Sequence, residues 1–178
     1  TTKSRKFVNK FNQMKKITFI MLILLLASCS TPKQNPDFEK NVELTKQWFE
    51  KWESEDLDYL ASQLSDDIEW QGAWYANKEL YNTKDDVMSY ISGWINAMED
   101  IDYSPENFLP GVDPETNMLN GSVRTYGTWT GKNTASGKSF EVKFYHYFTY
   151  DDNGMLINGG DYGDATGTLM AVAPDPVE

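Results

Sequence analysis

Residues 140–164, FEVKFYHYFTYDDNGMLINGGDYGD, contain two strand patterns joined by a turn. Both 138–150 and 154–163 are rich in β-branched and aromatic side chains, which are typical of strands. Between them, Asp151-Asp152-Asn153-Gly154 has the composition of a hairpin turn. We therefore predict that these two strands are neighbours in an antiparallel sheet.

Working outward from this hairpin, 101–110 and 117–130 are also strand-like. The sequence before residue 101 predicts mainly helices. The predicted elements are a helix capped by Asp37, a short helix around Leu57, a strand at 68–74 and a helix opened by Thr83. Helices followed by an antiparallel meander predict an α+β fold, with the helices packed on one face of a bent sheet.

Three stretches resemble motifs of the nuclear transport factor 2-like superfamily, most closely its SnoaL-like and ketosteroid-isomerase-like branch. They are LSDDIEW at 64–70, TKDDV at 83–87, and DNGML followed by DYGD within 152–164. The resemblance spans about 37–170 and implies a cone-shaped α+β barrel. In this fold three N-terminal helices pack on a strongly bent antiparallel sheet and enclose a pocket for a small, mostly apolar molecule.

The match departs from the family pattern at four positions. Met155 stands where a basic residue is usual, and Gly163 replaces an aromatic residue. Gly159 and Gly160 stand where many members carry His and Trp. The resemblance therefore implies the fold, but this chain lacks the His and Trp of those members at these two positions.

The first 28 residues have the pattern of a secretory leader, with six basic and no acidic residues and an apolar run at 17–27. The run is too short for a transmembrane helix, which needs about 20 residues. Leu26-Ala27-Ser28-Cys29 resembles a bacterial lipobox, which implies a lipid on Cys29 and a place in the cell envelope. The alternative is an ordinary signal peptide with an incidental cysteine. We predict a signal peptide at 1–28, whose first 13 residues could be an upstream extension, then a tether at 29–36, the domain at 37–170 and a tail at 171–178.

Charge and composition exclude several classes of function. The 178 residues include 16 basic and 27 acidic side chains, a net charge of −11, which disfavours nucleic-acid binding. Without the leader, 10 basic and 27 acidic residues remain, a net charge of −17. A single Cys and a single His exclude an internal disulfide, a cysteine-based zinc cluster and a multi-histidine metal site. We expect no cofactor and no metal.

Two ionisable residues are candidates for chemistry. In 140–150 the even positions are the more apolar, so His146 should face inward, where an imidazole can act as acid or base. The alternative is a core histidine hydrogen-bonded to a neighbour. Asp161 is the second candidate, because ketosteroid isomerase uses an Asp to abstract a proton next to a carbonyl. Its alternative is a solvated carboxylate at the rim, and the two adjacent glycines leave its face open.

Aromatic residues on the apolar faces suggest a pocket wall, although such residues more often belong to the core. The predicted lining residues are Trp70, Trp94, Tyr126 and Trp129. Three functions remain open at this stage. They are an envelope lipoprotein that binds a small hydrophobic or aromatic molecule, an isomerase, cyclase or hydratase that uses His146 and Asp161 with Tyr126 as a donor, and a non-catalytic homodimer that pairs through Tyr145, Tyr147 and Thr149.

Overall fold

The computed structural model describes residues 37–75 and 80–176. The predicted signal peptide, Cys29 and the tether lie outside the described residues. The described elements, in chain order, are helix α1 at Asp37–Glu53, helix α2 at Leu57–Gln63, strand β1 at Leu64–Gln71, helix α3 at Lys84–Ala97, strand β2 at Met98–Val112, strand β3 at Leu119–Asn133, strand β4 at Ser139–Tyr150, strand β5 at Leu156–Gly163 and helix α4 at Ala165–Val172.

The five strands form one curved, unclosed sheet in the order β1-β5-β4-β3-β2. The meander from β2 to β5 is antiparallel, as predicted. The predicted hairpin turn joins β4 to β5, and its Gly154 has a positive φ of 85°. The Asp151 carboxylate accepts the backbone N–H groups of Asn153 and Met155 and so stabilises the turn.

Strand β1 differs from the prediction in two respects. It pairs with β5 in parallel, so the sheet is mixed instead of wholly antiparallel. It also runs from Leu64 to Gln71, which places it earlier than the predicted 68–74 and leaves Trp74 outside the strand. The earlier start follows from the connection, because Leu64 is both the C-cap of α2 and the first residue of β1. Near the other end of the strand, Trp70 pairs with Tyr81.

Helix capping explains where the helices after β1 and β5 begin. Thr83 caps α3 by accepting the backbone N–H of Asp86, as predicted. Asp164 likewise accepts the N–H of Gly167. After Asp164 the chain continues as α4 to Val172. The apolar segment at 168–172 explains the continuation, because Thr168 and Val172 are buried.

The core lies between the helices and the concave face of the sheet. Helix α1 buries Thr45, Trp48, Phe49 and Trp52 on one side, while most of its charged residues lie toward solvent. Three register shifts in the β2–β3 pair increase the local twist and bend the sheet around this core. Within residues 37–75 and 80–176, no helix is both long and apolar enough to span a membrane.

Candidate functional site

A cavity lies between α1, α3 and the concave face of the sheet, with a volume of about 60 Å³. This is space for several water molecules at roughly 10–15 Å³ each. Five of the six tryptophans in the sequence line the cavity. The complete lining is Trp48, Phe49, Trp52, Trp70, Tyr90, Trp94, Met98, Ile101, Trp129, Phe140, Val142, Phe144, His146 and Asp161.

His146 and Asp161 form the polar end of this cavity. The two residues are register partners on β4 and β5, so their side chains leave the sheet side by side. Nδ1 of His146 lies 2.6 Å from Oδ1 of Asp161, and the side chains are 5% and 7% exposed. The strict alternation of β4 turns Phe144, His146 and Phe148 inward together, as the sequence pattern predicts.

Trp129 determines the tautomer of this histidine. Its indole Nε1–H donates to Nε2 of His146 at 2.9 Å. Since an indole nitrogen is only a donor, Nε2 must accept and therefore carries no proton. The ring proton consequently lies on Nδ1, from which it is donated to Asp161. The imidazole in this arrangement is neutral.

Tyr90 delivers a second hydrogen bond to the same carboxylate. Its hydroxyl donates to Oδ2 of Asp161 at 2.8 Å. Burial, followed by the Asp161 charge and hydrogen bond, raises the pKa of Tyr90 well above its ordinary value. Hydrogen bonds from the Trp94 side chain and the Ala73 backbone oppose that rise.

Two neutral donors therefore end on Asp161: His146, which itself accepts from Trp129, and Tyr90. Both carboxylate oxygens accept a hydrogen bond from a neutral group. A buried carboxylate is costly unless hydrogen bonds or an opposite charge compensate for the lost hydration. Here hydrogen bonds alone supply the compensation, and the wall of the cavity carries one negative charge.

Tyr103 forms a separate buried hydrogen bond with β3. Its hydroxyl lies 3.2 Å from Oγ1 of the buried Thr125, and its ring stacks on Phe49 with centroids 4.0 Å apart. Burial raises the pKa of Tyr103 to about 12, despite the opposing hydrogen bond to Thr125. Tyr103 is therefore a neutral hydrogen-bonding group behind the aromatic wall.

The structure places the predicted site residues in two groups. Trp70, Trp94 and Trp129 line the cavity together with His146 and Asp161. Tyr126 does not line it. Its side chain is 46% exposed and packs against Tyr145 on the outer face of the sheet.

Strand alternation explains the misplacement of Tyr126. On β3 the small or polar neighbours Thr125 and Gly127 occupy the inward positions. Tyr103 fills the space beside Gly127, because a Cβ there would lie 2.4 Å from its ring. His146 and Asp161 therefore meet in one cavity, as the predicted enzyme would require. The hydrogen-bond donor expected at Tyr126 is instead Tyr90, whose hydroxyl donates to Asp161.

Sequence reasoning missed Tyr90 and the three aromatic residues that α1 contributes to the cavity. Tyr90 precedes Trp94 by four residues on α3, a spacing that places both on one helical face. Trp48, Phe49 and Trp52 lie on the buried face of α1, which accounts for their place in the cavity wall. No group of three or more His, Cys, Asp or Glu that could hold a metal ion occurs in the described part of the chain.

Comparison with known proteins identifies the family. The SnoaL-like domain model matches residues 45–158, more than half of the chain, so the protein belongs to the SnoaL-like domain family. No curated protein gives a significant sequence match.

Solved structures of the same fold resemble the chain at low sequence identity. A candidate SnoaL-like polyketide cyclase from Jannaschia sp. CCS1 has a TM-score of 0.65 and 16% identity, covering 82% of this chain and 100% of its own. A candidate isomerase from Bacillus subtilis has a TM-score of 0.63 and 12% identity, covering 81% and 100%. An NTF2-like protein of unknown function from Burkholderia pseudomallei has a TM-score of 0.60 and 17% identity, covering 75% and 97%. These similarities establish the NTF2-like fold.

Proposed function

We propose that this SnoaL-like domain binds a small, largely apolar or aromatic molecule in its cavity. The observation that carries the proposal is an aromatic cavity with one polar end, at His146 and Asp161. Ligand sites commonly combine apolar walls with a few polar groups that fix the orientation of the ligand. The apolar wall would bury the body of the ligand, and Asp161 would orient its polar group.

The hydrogen bonds favour binding over catalysis. Both ring nitrogens of His146 have partners, because Nε2 accepts from Trp129 and Nδ1 donates to Asp161. An imidazole in this state has no free nitrogen with which to take a proton from a ligand. Each oxygen of Asp161 still has lone-pair capacity, so the carboxylate can accept one more hydrogen bond.

Tryptophan fluorescence provides the test, because most of the tryptophans line the cavity. Titration with steroid-, polyketide- and terpenoid-like compounds should change the emission saturably for at least one class. Val142→Trp, which enlarges a lining residue, should weaken that binding, whereas Tyr126→Trp on the outer face should not. Equal binding by a folded Val142→Trp variant, or absence of binding both across this panel and to apolar cations, would refute the proposal.

An isomerase, cyclase or hydratase activity is the second candidate, supported by the buried contact between His146 and Asp161. Asp161 would abstract a proton from the carbon next to a ligand carbonyl and become neutral, and the resulting enolate oxygen would accept a hydrogen bond from the Tyr90 hydroxyl. Exchange of that carbon-bound proton for deuterium in heavy water, followed by NMR, tests the step. Exchange should occur with the wild type and stop in Asp161→Asn, and lack of exchange of a bound ketone argues for binding alone.

We further propose that Cys29 carries a lipid that anchors the domain in the cell envelope, as the lipobox-like sequence suggests. Membrane fractionation of the full chain tests this. The wild type should sediment with membranes, and Cys29→Ser should appear in the soluble fraction. Membrane association that persists in Cys29→Ser would contradict a lipid anchor at this residue.

Homodimerisation through the outer face of the sheet is also a proposal. Tyr126 and Tyr162 are 46% and 60% exposed there, and both pack against Tyr145. Exposed aromatic residues are enriched at protein interfaces. Light scattering of the wild type should give twice the monomer mass, and a Tyr126→Ser, Tyr162→Ser double variant should be monomeric. A monomeric wild type would exclude this proposal.

A further inference from the structure

The cavity has a negative charge, on Asp161, that no positively charged side chain of the lining pairs with. Asp161 receives hydrogen bonds only from the neutral side chains of His146 and Tyr90. We infer that the preferred ligand is an organic cation, a quaternary or tertiary ammonium group on an apolar body, whose positive charge lies beside Asp161. The inference rests on the proposed binding function and specifies the chemical class of its ligand.

The absence of a positive side chain among the lining residues is the first argument. Neither Lys nor Arg occurs in the lining described above. Two lysines of α1 contact aromatic rings, but each pairs with a carboxylate that is not part of the lining. Lys46 pairs with Glu43 and lies over Phe108, and Lys51 pairs with Asp56. A bound cation would compensate a buried charge that the protein itself leaves unpaired.

The aromatic wall is the second argument. Nine of the fourteen lining residues are Trp, Phe or Tyr. The π-face of such rings carries negative potential and attracts a cation within about 6 Å of the ring centroid, most strongly for Trp. Trp129 lies next to the polar end, because it donates to His146, which in turn contacts Asp161. A cation beside Asp161 would therefore have an indole ring close by.

Charge selectivity follows from the same two features. An anionic ligand would be repelled by Asp161, and a neutral ligand would leave the carboxylate uncompensated. Methylated ammonium groups fit better than a bare ammonium, because they are weakly hydrated and present apolar methyl groups to the wall. The net charge of −17 without the leader would also raise the local concentration of cations.

A matched pair of probes tests the inference on the full chain. Choline and 3,3-dimethylbutan-1-ol have almost the same shape, but only choline has a charge. Their affinities are compared by calorimetry for the wild type, Asp161→Asn, Tyr90→Phe and Tyr126→Phe. We expect the wild type to bind choline at least about tenfold more tightly, which corresponds to about 1.4 kcal/mol.

The variants separate the effect of charge from that of hydrogen bonding. Asp161→Asn should abolish the preference for choline, because the amide retains the shape without the charge. Tyr90→Phe should keep the preference, because the carboxylate remains, and the outer-face variant Tyr126→Phe should match the wild type. If Asp161→Asn fails to fold, the test is made on the wild type instead. It looks for nuclear Overhauser contacts between the choline methyl groups and the ring protons of His146. Such contacts support the inference, and their absence overturns it.

Three other outcomes overturn the inference. They are equal affinity for the two probes, no binding of choline, and a preference that persists in folded Asp161→Asn. If neutral steroid-, polyketide- or terpenoid-like compounds bind while choline does not, the proposed binding function stands and the cation inference fails. If neither choline nor any neutral compound binds, both fail.

Discussion

His146 and Asp161 face each other across β4 and β5 as register partners, with Nδ1 and Oδ1 2.6 Å apart. The hairpin that joins these strands sets the pairing, so a local turn fixes the geometry of the buried polar pair. Because Trp129 from β3 donates to His146 and Tyr90 from α3 donates to Asp161, four elements meet at this pair. The site is therefore part of the core packing, and its variants should affect both stability and binding.

Replacing Asp161 with Asn should destabilise the fold by about 1–3 kcal/mol, the cost of leaving a buried donor without an acceptor. The amide oxygen can accept from His146 or from Tyr90, while the amide nitrogen faces the other donor. Urea denaturation measures the free energy of unfolding. Asp66→Asn, at a fully exposed carboxylate, is the control and should change it by less than about 0.5 kcal/mol. Equal stability of the Asp161 variant and the wild type would show that the two donors do not depend on the carboxylate.

Trp129→Phe should free Nε2 of His146, because phenylalanine fills most of the space but has no N–H to donate. The freed nitrogen should react faster with diethyl pyrocarbonate, which modifies unprotonated imidazole. His146 is the only histidine of the chain, so the reaction reports this residue alone. The matched control is Trp52→Phe, which alters the cavity wall beside Trp129 but leaves the Trp129–His146 hydrogen bond in place. A rate that is the same in both variants would contradict the assigned hydrogen bond.

Gly159→Ala and Gly93→Ala should have opposite effects on stability. A Cβ at Gly159 would lie 2.6 Å from the ring of the fully buried Trp70, and such overpacking costs about 1–3 kcal/mol. Gly93 is exposed within α3 with nothing within 4 Å of the added Cβ, so alanine should stabilise the helix by about 0.5–1 kcal/mol. Paired thermal unfolding curves measure both. A neutral Gly159→Ala would mean that Trp70 can move, and that this wall of the cavity is not rigid.

Glu53 should make stability depend on pH. Partial burial raises the pKa of its carboxyl above the ordinary value of 4.5, although the hydrogen bond from the Tyr103 backbone N–H opposes the rise. Since the folded state holds this proton more tightly than the unfolded state, Glu53 lowers stability as the pH rises above 4.5. Glu53→Gln should therefore be more stable than the wild type at neutral pH, with an advantage that disappears below that value. Urea denaturation across pH tests this, with Glu141→Gln, at an exposed residue, as the control. An advantage independent of pH would contradict it.

The sequence predicted the features that depend on near neighbours. The hairpin at 151–154 and the cap at Thr83 each involve side chains within four residues of the groups they bind. The inward position of His146 was also predictable, because the alternation of β4 is regular. The whole-chain order of elements then led to the α+β class and the family.

Features set by distant contacts could not be predicted in this way. The face of Asp161 was undecided because Gly159 and Gly160 interrupt the pattern of β5, and only pairing with β4 resolves it. Tyr126 was misplaced because β3 puts Thr125 inside, where it meets the hydroxyl of Tyr103. The parallel pairing of β1 with β5 joins segments almost ninety residues apart, and no local pattern indicates it.

Two neutral donors, His146 and Tyr90, end on Asp161, which leaves a neutral imidazole and a carboxylate without an opposite charge in the cavity. The most direct measurement is a long-range ¹⁵N–¹H correlation spectrum at neutral pH, in which His146 gives the only imidazole signals. We predict a protonated Nδ1 and an unprotonated Nε2. A spectrum with the proton on Nε2, or with both nitrogens protonated, would contradict the hydrogen bond from Trp129 and the negative charge assigned to the cavity.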